Sequence, residues 1–207
     1  GGALINSANA KRDRGEEVSA SLLYTNALDL LHQLIDAAND RFKSTAKLYA
    51  RNGHMGRAAV AESKDQFADA IEDLEAAFQL DGSKYRHALT VRIIGAKLNS
   101  GDYRAAVQSC IDVSKNQDSP EFLLQSCVVC VNNALVKVSG DVGIKNEERQ
   151  RLTNSYIQLA IVILSRLQSL QYYENARNVT YLLSSPALAT LRATKEFQVW
   201  ASTIKRL

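Results

Sequence analysis

Cys127 and Cys130 stand three residues apart, the spacing that puts two thiols on one helix face. A pair so placed could hold a soft metal ion or cycle between dithiol and disulfide. A structural zinc site needs four ligands, commonly a second Cys or His pair at matching spacing. The remaining cysteine is Cys110, and no histidine lies near it in sequence. A redox pair needs an exposed helix start, whereas this one is set among Val128, Val129 and Val131. Free thiols are among the most buried side chains, so the three cysteines read as core. The histidines are His32, His54 and His87. Asp36 follows His32 by one turn and could orient it as a base. His54 falls in Asn52-Gly53-His54-Met55-Gly56, which reads as a turn, and His87 falls near a helix start. No Ser/His/Asp or Cys/His constellation is visible along the chain. Asp69, Glu72, Asp73 and Glu75 are oxygen donors, but hard cations need ligands converging from a loop or several helices. One continuous helix presents them instead as a solvated acidic face. A Gly-rich phosphate loop is absent.

The elements that carry these residues read as helices. Leu28, Leu31, Ile35, Ala38, Phe42, Thr45 and Tyr49 follow alternating steps of three and four, which predicts a helix reaching about Arg51. Phe67, Ala70, Ile71, Leu74 and Phe78 form a second stripe, ending at Asp81-Gly82-Ser83. Further helices are expected over 85–99, 103–115, 122–138, 146–169, 175–183 and 196–207. Asp118-Ser119-Pro120-Glu121 opens one of them, with a capping residue ahead of proline in the first turn. Residues 1–17 are polar and charged and read as a flexible lead-in or a frayed helix, ahead of a single domain over 18–207. No segment alternates polar and apolar residues between hairpin turns, so the class is all-α.

Composition narrows the function classes. The chain has 207 residues, 46% of them apolar and 23% charged, with a net charge of +3. That is enough to bury a core and is not the composition of a disordered chain. A nearly neutral balance, with Lys11, Arg12, Arg14, Lys205 and Arg206 scattered, gives no basic stripe for nucleic acid or a membrane surface. No apolar run is expected to reach the roughly 20 residues of a membrane span. Three cysteines do not make a disulfide framework, which fits a reducing, cytoplasmic setting. The chain opens on Gly1-Gly2 rather than Met and is expected to be part of something longer.

A repeat is legible. Gly101-Asp102-Tyr103 precedes Ala106-Val107, Cys110, Val113 and Pro120. Phe67, Ala70, Ile71, Ala77 and Leu80 follow the same scheme, as do Tyr173, Ala176, Val179 and Leu183. Ala70 to Ala106 is 36 residues and Ala106 to Ala176 is 70, close to one and two periods of about 34. A small Ala lets the second helix of a pair approach the first, and the aromatic fills the space beside it. This pattern resembles the second helix of tetratricopeptide (TPR) repeats. Ala176-Arg177-Asn178-Val179, Leu183-Ser184-Ser185-Pro186-Ala187-Leu188, Leu191-Arg192 and Glu196-Phe197 with Trp200 resemble the ending of TPR-like regions at the C-termini of planctomycete-type bacterial serine/threonine protein kinases. Ser185 replaces the Asp usual before that Pro. At the usual first-helix Gly this chain has Ile94, and residues 120–145 lack the signature. No Gly-rich loop, His-Arg-Asp loop or Asp-Phe-Gly of a kinase occurs.

The resemblance implies a TPR-like right-handed superhelix of about seven or eight antiparallel helices. It implies a non-catalytic scaffold that binds a protein or peptide, or another part of its parent chain. It implies no cofactor, nucleic acid or membrane. Arg92, Lys97 and Asn99 on the third expected helix are the partner-binding candidates. The Lys/Asn clamp of chaperone-binding relatives is not reproduced, because Val91 and Gly95 fall where it needs polar groups. Two other readings stay open: a helical bundle with a metal or redox site at Cys110, Cys127 and Cys130, and self-association through the Leu28–Tyr49 helix.

Overall fold

A computed structural model describes residues 1–37, 40–81 and 84–204, with residues 40 and 41 described through their backbone. Among them there are eleven α-helices, two short 3-10 helices and no strand. The chain divides into two compact units, residues 1–100 and 101–207, where the sequence suggests one domain over 18–207.

The first unit holds α1 (Gly2–Asp13), α2 (Glu17–Ala37), α3 (Asp40–Ser63), α4 (Phe67–Leu80) and α5 (Arg86–Asn99). Each helix packs on the next, except that α1 packs on both α2 and α3. Residues 2–13, read from sequence as a loose or frayed lead-in, form a helix that buries Ile5 and Ala8. The single helix expected between Leu28 and Arg51 is two, α2 and α3; Ala38 lies outside the described residues. Leu28 and Leu31 are buried, while Phe42 and Tyr49 are exposed, so the seven-residue stripe does not share one face.

Asn52–Gly56 is not a turn but the middle of α3. Its glycines serve close packing. A Cβ on Gly53 would lie 2.8 Å from Ile5 Cδ1 and 3.0 Å from Leu28 Cδ2. A Cβ on Gly56 would lie 2.4 Å from Cζ of Tyr24. Glycine weakens a helix by about 1 kcal/mol relative to Ala, but here it admits α1 and α2 against α3.

One turn recurs between helices. Gly15 (φ 76°), Asp65 (φ 57°) and Gly101 (φ 88°) are left-handed residues, separating α1 from α2, α3 from α4, and α5 from α6 (Tyr103–Lys115). In the first two turns the following residue closes a six-residue cap: Glu16 N–H donates to Lys11 O, and Gln66 N–H to Ala61 O. The residues that open α4 and α6, Gln66 and Asp102, share φ near −85° and ψ of 62°. Five residues after each left-handed position stands a fully buried alanine: Ala20, Ala70 and Ala106. Gln171 (φ 61°) repeats the left-handed turn, but Ala176 beyond it is exposed.

The second unit continues from α6 with α7 (Glu121–Gly140), α8 (Asn146–Ser169), α9 (Ala176–Ser184), α10 (Ala189–Arg192) and α11 (Lys195–Ile204). The 3-10 helices are Tyr172–Glu174 and Pro186–Leu188. α7 is the centre: it packs on α6, α8 and α10, and ten of its twenty residues are buried. By length and composition alone α7 could cross a membrane, contrary to the reading that no apolar run is long enough. In this unit its apolar surface is matched by neighbouring helices. Asn132 at its middle accepts a hydrogen bond from Leu191 N–H at 2.9 Å, which ties α10 to α7.

Candidate functional site

A buried polar cluster lies in the first unit, where α2, α3 and α4 meet. His54 and Arg57, three residues apart, share one face of α3. Asp73 lies on the inward side of α4 beside buried Ala70, Leu74 and Ala77. It is only 5% exposed, so it departs from the solvated acidic face expected of its helix. Its carboxylate accepts from His54 Nδ1 at 2.7 Å and from Arg57 Nε and Nη2 at 2.8 Å each. Arg57 Nη1 donates to Thr25 Oγ1 of α2 at 3.1 Å. The other nitrogen of His54, Nε2, lies 3.2 Å from Nε2 of His32 on α2.

The charges explain how this group stays buried. Burial alone would raise the pKa of Asp73, but hydrogen bonds from His54 and Arg57 and the guanidinium charge outweigh it, and the pKa is lowered. The same carboxylate raises the pKa of Arg57. For His32, burial comes first and the neighbouring His54 second, and both lower its pKa; Asp36 and Asp29 oppose them. A carboxylate on Nδ1 is the device that orients a catalytic imidazole. Here the other nitrogen faces the imidazole of His32. The arrangement fixes a tautomer and ties three helices.

Beside the cluster runs a cleft of about 300 Å³, lined by Ser21, Thr25, Arg57, Lys64, Asp69 and Glu72 among others. Ser21 and Thr25 come from α2, Arg57 from α3 with Lys64 just after it, and Asp69, Glu72 and Asp73 from α4.

The other residues singled out in the sequence fall elsewhere. Arg92 on α5 donates to Glu62 of α3 at 2.7 Å, and Lys97 pairs with Glu75 of α4 at 3.1 Å. Asn99 is exposed at the end of α5. Arg92 also borders a second cleft with Asn9, Arg12, Asn52 and Met55. His87 is exposed near the start of α5. Cys110, Cys127 and Cys130 are brought together and are all buried. Hydrogen bonding to Cys127 and Cys130, with burial, pushes the Cys110 thiol pKa well up, opposite to what a thiolate ligand or redox nucleophile requires. Among the described residues no group of three or more His, Cys, Asp or Glu side chains is arranged to hold a metal ion.

The His54–Asp73–Arg57 cluster is absent from the sequence reading. Its members lie 16 and 19 residues apart across two helices, beyond local spacing. The one local signal, His54-x-x-Arg57 on a helix face, is hidden when Asn52–Gly56 is read as a turn. Comparison of the chain with protein families, curated proteins and solved structures finds no match in any of the three.

Proposed function

We propose that this protein is a non-catalytic helical-repeat module, TPR-like and of the right-handed superhelical class, that binds an extended polypeptide. The observation that carries the reading is the recurrent turn: a left-handed residue at Gly15, Asp65 and Gly101, each five residues before a fully buried alanine. Consecutive helices packing on one another within each unit agree with it. Helical-repeat proteins bind through surface side chains rather than a reaction centre, and the cleft at α2–α4 offers both charges and hydroxyls to a peptide backbone. The polypeptide belongs to a partner or to another part of the parent chain. The resemblance of the tail favours a regulatory or adaptor region of a larger bacterial, cytoplasmic protein. A metal or redox site at Cys110, Cys127 and Cys130 is disfavoured by the burial of all three thiols and the raised pKa of Cys110.

The test is selection of peptides from a random display library on the purified chain, followed by anisotropy titration of the selected sequences. Saturable binding is expected, weakened by Lys64→Glu or Glu72→Lys at the cleft. Failure of every selected peptide to bind saturably would remove the reading.

A further inference from the structure

We propose that His32 and His54 form a binding site for one late first-row divalent ion, of which Zn²⁺ is the test case, clamping α2 to α3. The proposal is independent of the repeat reading. Its first support is distance. The two Nε2 atoms lie 3.2 Å apart, while two nitrogens on one tetrahedral zinc, each at 2.0–2.1 Å, are roughly 3.3 Å apart. The ring centroids are 5.2 Å apart with the planes inclined by 30°, so the rings meet end to end, nitrogen to nitrogen, rather than stacking.

The second support is the tautomer. His54 donates its Nδ1–H to Asp73, so the neutral ring carries its lone pair on Nε2. A ligating histidine characteristically donates its other N–H to a carboxylate in this way. Asp73 is itself held by two bonds from Arg57, which also pair the guanidinium charge with its carboxylate. In the metal-free pair, Nε2–H of His32 donates to Nε2 of His54. An ion takes the place of that proton, which moves to Nδ1 of His32.

The third support is access. His32 and its neighbours Asp29 and Asp36, one turn away on either side, are exposed. Water can therefore complete the coordination, and the two carboxylates favour a cation; both act on His32 in that sense. The protein supplies two ligands, and solvent supplies the rest. Nitrogen ligands select zinc, copper or nickel over magnesium or calcium. Bound to the folded state alone, the ion raises its stability by mass action.

The experiment is calorimetric titration of the tag-free, full chain with ZnCl₂ under a non-thiol reductant, alongside thermal unfolding with and without the ion. One ion per chain is expected, with a rise in Tm. His32→Gln, an exposed position that leaves the buried pair of His54 and Asp73 intact, is expected to weaken binding roughly tenfold or more and to abolish the Tm shift. His87→Gln serves as the control and should change neither. Substitution with Co²⁺ should give a spectrum without a sulfur charge-transfer band. Absence of stoichiometric binding, equal affinity in His32→Gln, or a sulfur band that assigns the ion to the cysteines would each overturn the proposal.

Discussion

Gly56 of α3 stands so close to Tyr24 of α2 that a Cβ there would come within 2.4 Å of the ring carbon Cζ. Tyr24 cannot swing away: it is fully buried, and its hydroxyl donates to Asn9 Oδ1 at 2.5 Å. Gly56→Ala is therefore expected to destabilise the first unit by about 2 kcal/mol through overpacking, despite the better helix propensity of alanine. Gly95 in α5 is the contrast, since nothing lies within 4 Å of its Cβ position. Gly95→Ala should stabilise by about 0.5–1 kcal/mol. Urea unfolding of both variants checks the pair. Equal signs would mean that space at Gly56 is not what selects glycine.

Asp73 links stability to acid. Its pKa is lowered in the fold, so its contribution is complete above the unfolded Asp value of about 3.9 and is lost as pH falls through the lower folded value. Asp73→Asn removes that titration and strands Arg57 and His54, at a cost of about 3 kcal/mol at neutral pH. Urea midpoints measured from pH 7 to pH 2.5 should therefore fall more steeply below about pH 4 for the natural chain than for the variant. Parallel curves would show that Asp73 is not the group responsible.

The two left-handed turns at 65 and 101 differ in residue type, and this gives opposite expectations. Gly101 has φ of 88° and open space at its Cβ position, so Gly101→Ala is destabilising through backbone strain alone, by about 1 kcal/mol. Asp65, at φ 57°, already carries that strain. Asp65→Gly should leave stability unchanged or raise it by a few tenths to about 1 kcal/mol. Thermal unfolding reads both. A clear loss on Asp65→Gly would show that the aspartate side chain contributes something that outweighs the strain.

The three thiols should be silent in the native state. Cys110, Cys127 and Cys130 are buried, and the Cys110 pKa is raised. Aromatic disulfide reagent at pH 8 should label none of them within minutes, and all three once the chain is unfolded in guanidinium. Rapid native labelling of any one thiol would place it in an accessible, activated setting instead.

Periodicity was a sound guide where a helix buries one stripe between recognisable breakers. α6 and α8 lie where the sequence places them, Tyr103–Lys115 and Asn146–Ser169, and α4 and α7 within a residue or two. It failed where packing overrides local preference. Gly53 and Gly56 look like chain reversals but are contact points for Ile5, Leu28 and Tyr24. The polar face of α1 conceals Ile5 and Ala8, although Gly15, five residues before Ala20, has the same relation as Gly101 to Ala106. The candidate cluster was legible only in fragments. His32 is visible as a histidine with Asp36 one turn on, but its working neighbour is His54 from another helix. Arg92 and Lys97 are cations on the expected helix, yet Glu62 and Glu75 already engage them. Partners on separate helices obey no local spacing, so a single chain does not announce them.

Asn132 gives the last helices a role beyond filling space. Its buried side-chain oxygen accepts from Leu191 N–H, and the side chains of Leu191 itself and of Leu188 before it are fully buried. Clipping the protein ahead of Ala189 would strand a polar amide in an apolar interior, at about 1–3 kcal/mol. It would also uncover the part of α7 that α10 packs on. A protease acting at that junction would thus leave an apolar seam for another surface to cover.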